Sequence, residues 1–111
     1  MSKISIIIPT INEASNLPLL LSDLSSIQKE GEIIIVDSGS EDKTIDVANI
    51  YGAKVFISKE RNRGLQLDMG ANNSKGDWLI FLHADTRLTY DWFRKTNSFL
   101  KGNKDLSLIH I

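Results

Sequence analysis

Residues 78–88 have the sequence WLIFLHADTRL, in which five apolar residues are followed at once by polar ones. The apolar run, Trp78 to Leu82, is short and continuous, which is typical of a strand buried on both faces of a parallel sheet. Asp85 comes shortly after this run. Because open α/β sheets bind ligands outside the carboxyl ends of their strands, the position of Asp85 predicts a ligand site at that edge.

Three further strand patterns and four helix patterns surround this run. The predicted strands cover residues 3–8, 32–36 and 54–57, and the predicted helices cover approximately 17–28, 42–51, 65–74 and 91–100. The resulting order, β-α-β-α-β-α-β-α, requires crossover connections and therefore a mostly parallel sheet. We predict an α/β, Rossmann-like fold with helices on both faces of that sheet.

Individual residues define the predicted ends of these elements. Pro9 should end the first strand, because proline has no N–H to donate to a ladder. Asn16 and Ser40 are the predicted N-caps of the first two helices, and Pro18 is tolerated in the first turn after Asn16. Gly52 suits the left-handed position that ends a helix.

The composition is that of a single globular domain, since 41% of the 111 residues are hydrophobic and 24% are charged. The net charge of −1, from 13 basic and 14 acidic residues, offers no general attraction to nucleic acid or to a membrane surface. The absence of cysteine excludes disulfides and thiolate metal sites. The sequence shows no signal peptide and no membrane-spanning run, and we expect a cytoplasmic protein.

The last six residues, LSLIHI at 106–111, are expected to be a non-native tail. They match the translation of a transposon-end sequence used in preparing DNA libraries, which would make residues 1–105 the native part of this chain. The alternative is a natural strand with the same sequence. The nucleotide sequence of the gene distinguishes the two origins.

Acidic residues follow two of the predicted strands. Asp37, like Asp85, ends an apolar run; at this place in a Rossmann-like sheet it would accept hydrogen bonds from a ribose or base, or equally cap its own turn. Asp85 offers an oxygen ligand to Mg²⁺ or Mn²⁺, or a cap to a turn or helix. His83 lies two residues before Asp85, on the same side of an extended segment. It could bind the metal, donate a hydrogen bond to a phosphate, or be an ordinary polar residue at a strand end.

Two loops carry the other candidates. Arg61 and Arg63 flank Asn62, and two guanidinium groups can neutralise a diphosphate, although a solvated loop explains scattered charges equally well. Asn12 and Glu13 follow the first strand, where they would line a site or form a turn and cap. Together with Asp37 and Asp85, these residues belong to one predicted rim.

Four segments carry a family resemblance in their order and spacing. They are residues 6–13 (IIIPTINE), 35–44 (IVDSGSEDKT), 61–66 (RNRGLQ) and 81–86 (FLHADT). Together they resemble the successive motifs of family 2 glycosyltransferases, which have the GT-A fold, and the resemblance covers about residues 3–95. It implies that this chain is the nucleotide-sugar-binding half of a GT-A domain, in which the first and fourth strands lie side by side.

The resemblance also implies roles for particular residues. The residues that would bind the nucleotide of a nucleotide-diphosphate-sugar donor are Pro9, Thr10, Glu13, Asp37, Arg61, Arg63 and His83. Among them, Asp37 would hydrogen-bond the base, and Arg63 with Arg61 would lie near the diphosphate. Asp85 matches the last carboxylate of the Asp-x-Asp motif, which holds a divalent cation, Mn²⁺ or Mg²⁺. His83 replaces the first aspartate of that motif.

The implied activity is transfer of a sugar from the donor to an unknown acceptor, which would be a saccharide, a lipid or a small molecule. In this inverting family a general base comes from the second half of the domain, so we expect residues 1–105 to bind donor but not to catalyse transfer alone. No nucleic-acid partner is expected, and the longer protein could associate peripherally with a membrane.

Three other functions fit parts of the pattern. A nicotinamide-dependent dehydrogenase would have Gly-x-Gly-x-x-Gly after the first strand, where this chain has PTINE. A nucleotidyltransferase sharing the sheet, or another Rossmann-like nucleotide-binding domain, would more often have a basic, glycine-rich loop there. A non-catalytic interaction domain would need no ligand, and protection of its fold by a nucleoside diphosphate with a metal would argue against it.

Overall fold

The computed structural model describes residues 4–25, 31–89, 91–92 and 94–95, and the backbone of 108–110. Its strands are β1 (Ile4–Thr10), β2 (Gly31–Asp37), β3 (Lys54–Ile57), β4 (Trp78–Phe81) and β5 (Leu108–His110). Its helices are α1 (Leu17–Asp23), α2 (Thr44–Ile50) and α3 (Arg63–Asn72). Residues 91, 92, 94 and 95 are helical, as predicted, and the rest of the predicted last helix lies outside the described residues.

The strands form one parallel sheet in the order β3-β2-β1-β4-β5. The chain therefore builds outward from β1 to β3 and then returns to the other side of β1 to form β4. This reversal creates a topological switch point between β1 and β4, the place where open α/β sheets bind ligands. The predicted parallel sheet and the predicted pairing of the first and fourth strands are confirmed.

Helices cover both faces of the sheet, as predicted. On one face, the isoleucines at even positions of β1 pack with α1 and α2 in a core that includes Trp78 and Ile80. On the other face, α3 packs against β1 and β2, around Ile7, Ile34 and Val36. Alternation of side chains along each strand explains why one isoleucine-rich strand serves both cores.

Strand β4 is less completely covered than its apolar sequence predicted. Trp78, Ile80 and Leu82 are buried, whereas Leu79 and Phe81 are only half-buried. This half-buried face lies on the side of α3, which packs mainly over β1 and β2. The prediction of burial on both faces was therefore correct for one face and only partly so for the other.

Pro9 does not end β1, contrary to the prediction. The strand continues to Thr10, and Pro9 pairs in register with Val36. The carbonyl of Ile7 accepts from Leu82 on the β4 side, and the carbonyl of Thr10 accepts from Ser38 on the β2 side. Pro9 therefore turns its missing donor toward β4, which has already ended, and no ladder bond is lost.

Helix α1 begins at Leu17, as predicted, whereas α2 and α3 begin at other residues than predicted. Asn16 stands at the N-cap of α1 without a capping side-chain bond, and its amide instead donates to Glu13. Ser40 does not cap α2, which begins only at Thr44. Helix α3 begins at Arg63, two residues before its predicted start, because Asn62 caps it. Gly52 has φ of 80°, as predicted for the residue after a helix.

Residues 108–110 of the predicted non-native tail pair with β4 as a parallel strand. An open sheet edge accepts any extended segment of suitable pattern, so this pairing is compatible with a native and with a foreign origin. The origin of residues 106–111 stays a prediction. Among the described residues, no helix has the length and apolar character needed to cross a membrane.

A polar cluster joins the amino ends of the strands, at the edge opposite the switch-point ligand edge. Glu32 accepts hydrogen bonds from the hydroxyl of Ser5 (2.6 Å), Nζ of Lys54 (2.7 Å) and the backbone N–H of Lys75 (2.5 Å). Burial raises the pKa of Glu32, but these hydrogen bonds outweigh it and lower the pKa to about 2. Glu32 thus ties β1, β2 and β3 to the connection that leads into β4.

Candidate functional site

Asp37 is fully buried where β2 ends, next to the end of β1. Its Oδ1 accepts from the hydroxyls of Thr10 (2.7 Å) and Ser40 (2.5 Å). Its Oδ2 accepts from the backbone N–H groups of Gly39 (3.0 Å) and Ser40 (2.7 Å). The structure therefore brings Thr10 and Asp37 together and has Asp37 capping its own turn. The base contact implied for Asp37 stays a prediction.

The loop after β1 and the loop after β2 are joined through Asn12. Its backbone N–H donates to Oγ of Ser40 at 2.8 Å, and its side-chain Oδ1 accepts from the N–H groups of Glu41 (2.8 Å) and Asp42 (3.4 Å). Asn12 has φ of 53°, in the left-handed region that asparagine tolerates better than most residues. The two loops consequently form one hydrogen-bonded unit.

A second set of hydrogen bonds attaches the start of α2 to the same unit. Asp42 accepts from the N–H groups of Ala14 (3.1 Å) and Thr44 (3.0 Å) and from the Thr44 hydroxyl. That hydroxyl bond is the main cause of a lowered pKa for Asp42. The N–H of Glu13 donates to Oγ1 of Thr44 at 2.9 Å. The half-buried side chain of Glu13 accepts from the side-chain amide of Asn16 at 3.2 Å.

Helix α3 reaches the same edge with its first turn. The side chain of Asn62 accepts from the N–H of Leu65 at 3.1 Å and so caps the helix. Gln66 is buried, and its Nε2 donates to the carbonyls of Val36 (2.8 Å) and Thr10 (3.3 Å). These bonds hold the start of α3 against the carboxyl ends of β1 and β2.

Arg63 lies three residues before Gln66 in the sequence, and Arg61 lies five residues before it. Both are exposed, and neither forms an ion pair with a residue in the described part of the chain. Arg63 is the first residue of the ten-residue α3, so it lies in a helix and not in the predicted loop. Two cations beside a helix N-terminus create a positive region suited to an anion.

His83 and Asp85 follow β4 at the switch point. Ile7 pairs with Phe81, and the N–H of Leu82 donates to the carbonyl of Ile7 at 3.1 Å, so the segment leaves the sheet beside β1. His83 is half-buried. Asp85 is exposed and makes no hydrogen bond or ion pair with other residues that the structure describes.

The far end of this segment is fixed to α1. Nε and Nη2 of Arg87 donate to the two carboxylate oxygens of Asp23, at 2.9 and 3.2 Å, and the N–H of Leu88 donates to Asp23 at 3.0 Å. The Arg87 hydrogen bonds are the main cause of a lowered pKa for Asp23. Residues 83–86 are therefore held between β4 and an ion pair.

The donors after β4 fit a divalent cation that is only partly coordinated by protein. A carboxylate and an imidazole are both ligands that Mn²⁺ accepts. Within the described ranges, no group of three or more His, Cys, Asp or Glu side chains could hold a metal. Cations such as Mg²⁺ often bind one or two carboxylates and complete their shell with water and substrate phosphates, and Asp85 with His83 suits that arrangement.

Sequence reasoning missed the residues that tie the loops together. Ser40, Asp42, Thr44 and Gln66 were given no role in the site, and Asn12 was treated as a turn residue or a wall. The available signals were the Asp-x-x-Ser spacing after β2, which allows an Asx turn, and a glutamine among the apolar positions of a short helix.

Comparison with known proteins settles the family. The family model described as "Glycosyl transferase family 2" matches residues 5–111. The chain belongs to this family. A PGL/p-HBAD biosynthesis glycosyltransferase of Mycobacterium tuberculosis is 32% identical over 114 residues, covering 96% of this chain and 44% of that protein. A 4,4'-diaponeurosporenoate glycosyltransferase of Staphylococcus haemolyticus is 38% identical over 92 residues, covering 77% of this chain and 24% of that protein.

Solved structures share the fold. TarS 1–349 of S. aureus has a TM-score of 0.82 with 22% identity, covering 91% of this chain and 33% of that one. Glucosyl-3-phosphoglycerate synthase from Mycobacterium tuberculosis, in a complex with Mn²⁺, UDP and glucosyl-3-phosphoglycerate, has a TM-score of 0.66 with 24% identity, covering 78% of this chain and 36% of that one. The GT-A expectation is thus confirmed. The chain spans less than half the length of the curated relatives named above.

Proposed function

We propose that this chain is the donor-binding part of a glycosyltransferase, which transfers a sugar from a nucleotide-diphosphate sugar to an acceptor. The observation that carries the proposal is the switch point itself. There, in a chain of family 2, the exposed Asp85 carboxylate follows β4, the strand that pairs with β1. Arg61 and Arg63, exposed and without an ion pair among the described residues, lie just before and at the start of the helix anchored to the same edge. The complex of a structural neighbour with UDP and Mn²⁺ supports this assignment.

The proposed donor site has one wall for the nucleoside and one for the diphosphate. Pro9 and Thr10, the last residues of β1, and Glu13, in the loop that follows, form the first wall. The Thr10 hydroxyl is hydrogen-bonded to β2, and the N–H of Glu13 is hydrogen-bonded to α2. Arg61 and Arg63 attract the diphosphate, because both guanidinium groups are exposed and without an ion pair among the described residues. Opposite charge close to the leaving nucleoside diphosphate stabilises the charge that develops on it during transfer.

Asp85, with His83 beside it, would hold a divalent cation. When bound, the cation supplies positive charge to the donor phosphates and so favours departure of the nucleoside diphosphate. The contribution of this chain is to keep the segment after β4 in place, through the ladder to β1 and the ion pair between Arg87 and Asp23. A fixed segment presents the Asp85 carboxylate without reorganisation at the moment of binding.

The general base and most acceptor contacts would come from chain beyond the donor-binding part. An acceptor hydroxyl must lose its proton to a base within hydrogen-bond reach. We propose that residues 1–105 bind donor and cation, that transfer needs the longer protein, and that this protein acts in the cytoplasm, where it could approach a membrane peripherally.

Calorimetric titration of UDP and GDP into the chain, with and without Mn²⁺, tests the proposal. The variants are Asp85→Ala and, as a matched control, Asp68→Ala, which removes another exposed carboxylate from the middle of α3. We expect Mn²⁺ to strengthen binding of one nucleotide by about tenfold or more, which corresponds to about 1.4 kcal/mol. Asp85→Ala should abolish that gain, and Asp68→Ala should keep it. A folded chain that binds neither nucleotide would contradict donor binding by this part.

A further inference from the structure

The carboxylate of Asp37 has no acceptor position left for a ligand. An ionised carboxylate offers about four lone-pair sites. Four donors of the chain occupy them: the hydroxyls of Thr10 and Ser40 and the N–H groups of Gly39 and Ser40. The residue is also 0% exposed. A nucleotide base could reach this carboxylate only by displacing one of these donors.

Hydrogen bonds through Ser40 connect Asp37 to the loop after β1. Oγ of Ser40 donates to Asp37 and accepts from the N–H of Asn12, so a single hydroxyl links the buried carboxylate to the neighbouring loop. Asn12 in turn holds the N–H groups of Glu41 and Asp42 with its side chain. Bonds to a carboxylate are stronger than neutral ones, which makes Asp37 the firmest point of this network.

The backbone of Asn12 requires such a restraint. Its φ of 53° lies in a region that costs free energy for residues other than glycine. Three hydrogen bonds across the two loops hold it there. Because β1 fixes Thr10 and Asn12 lies between Thr10 and Glu13, the conformation of Asn12 determines where Glu13 lies relative to the end of β1.

We infer that Asp37 is a positioning residue: it locks the loop after β2 onto the loop after β1 through Ser40 and Asn12, and it does not discriminate the base of the nucleotide. This inference rests on the proposed donor site and changes the role of one residue in it. Selectivity for the base then comes from other groups on the rim, and the Asp37 carboxylate contributes equally to the affinity for every nucleotide.

Two variants separate positioning from base contact. Asp37→Asn removes the charge, and its amide cannot accept from all four donors; Ser40→Ala removes the hydroxyl link but leaves the carboxylate intact. Binding of UDP, GDP and ADP, which differ in the base, is measured for both. We expect each variant to weaken the binding of all three nucleotides by a common factor of about tenfold, with the ratios of their affinities unchanged. A change of tenfold or more in the ratios, produced by Asp37→Asn and not by Ser40→Ala, would overturn the inference.

Amide hydrogen exchange tests the lock without any nucleotide. We expect both variants to lose protection at the N–H groups of Asn12 and Glu41 by tenfold or more, while amides in the middle of β1 keep theirs. Unchanged protection at Asn12 in either variant would overturn the inference. If the wild-type chain binds no nucleotide, the proposed donor binding fails, and exchange alone still decides whether Asp37 positions the loops.

Discussion

Substitution of Gly70 by alanine should destabilise the chain, although alanine is the better helix former. Gly70 lies in α3 where the helix packs on the sheet. A Cβ added there would lie 2.4 Å from Cγ2 of Ile7, 3.2 Å from its Cγ1 and 3.3 Å from Cγ2 of Val36. Ile7 is fully buried inside β1, so its methyl group has little room to turn away.

The magnitude follows from two opposing terms. Replacing glycine by alanine inside a helix gains about 0.8–1 kcal/mol of intrinsic propensity. Relief of the contact from 2.4 Å to an ordinary 3.4 Å requires α3 to move by about 1 Å, and forcing extra volume into a packed core typically costs about 1–3 kcal/mol, occasionally more. A Cβ contact of 2.4 Å is closer than real ones come, so the packing cost should lie in the upper half of that range, about 2–3 kcal/mol. We therefore expect a net loss of about 1–2 kcal/mol, together with a displaced Gln66 anchor.

The assay is urea denaturation followed by tryptophan fluorescence; of the two tryptophans, Trp78 is 1% exposed and so reports on the core. The matched control is Gly64→Ala in the same helix, where the added Cβ would meet only Oδ1 of Asn62, at 3.3 Å. Gly64→Ala should be neutral or mildly stabilising. A Gly70→Ala chain as stable as the Gly64→Ala chain would refute the close packing of α3 on β1.

Three further substitutions have definite expected outcomes. Glu32→Gln should cost about 1–2 kcal/mol at pH 7, a modest value because Lys54 is half-exposed. The pKa of Glu32 is lowered from 4.5 to about 2, so the stabilisation by its carboxylate is complete above about pH 4.5 and is lost as the pH falls through 2. In that window, the free energy of unfolding should depend less on pH in the variant than in the wild-type chain. An unchanged profile would contradict the ionised cluster. Gln66→Ala should cost about 1–3 kcal/mol through the loss of two hydrogen bonds to strand carbonyls, and a cost below about 0.5 kcal/mol in denaturant titration would show that the anchor is weak. Gly39→Ala, at φ of 95° with no atom within 4 Å of the added Cβ, should cost about 1 kcal/mol from the backbone alone; equal stability in thermal unfolding would mean that the turn adopts another conformation.

The parallel sheet could be predicted because its strands carry their signal locally. Continuous isoleucine runs such as 6–8 and 33–35 indicate burial, and the spacing between strands leaves room for crossovers. The extension of β1 through Pro9 could not be predicted, since it depends on which neighbour has already ended on that side. The half-exposed face of β4 likewise depends on where α3 lies, which no local pattern contains.

The strand ends at which the candidate residues lie could be predicted, whereas the hydrogen bonds between these residues could not. The carboxyl edge and its residues, Asp37 and Asp85 among them, follow from strand order and from the motif resemblance. The bonds between the loops, made by Asn12, Ser40 and Thr44, join residues that lie about 28–31 positions apart in the chain. Such pairs arise from the packing of two strand ends, and a propensity argument along the chain does not reach them.

Paramagnetic broadening by Mn²⁺ in the presence of UDP or GDP would locate the bound cation and so test whether donor nucleotide and cation bind at the β1/β4 switch point. Amide signals are recorded on the ¹⁵N-labelled chain, with Mg²⁺ as the diamagnetic reference. We predict the strongest broadening at residues 10–13 and 83–86. Much weaker broadening is expected at Ser5 and Gly76, which are hydrogen-bonded to each other near the opposite end of β1, a seven-residue strand about 20 Å long. Strongest broadening around Glu32, or equal broadening at both edges, would contradict the account.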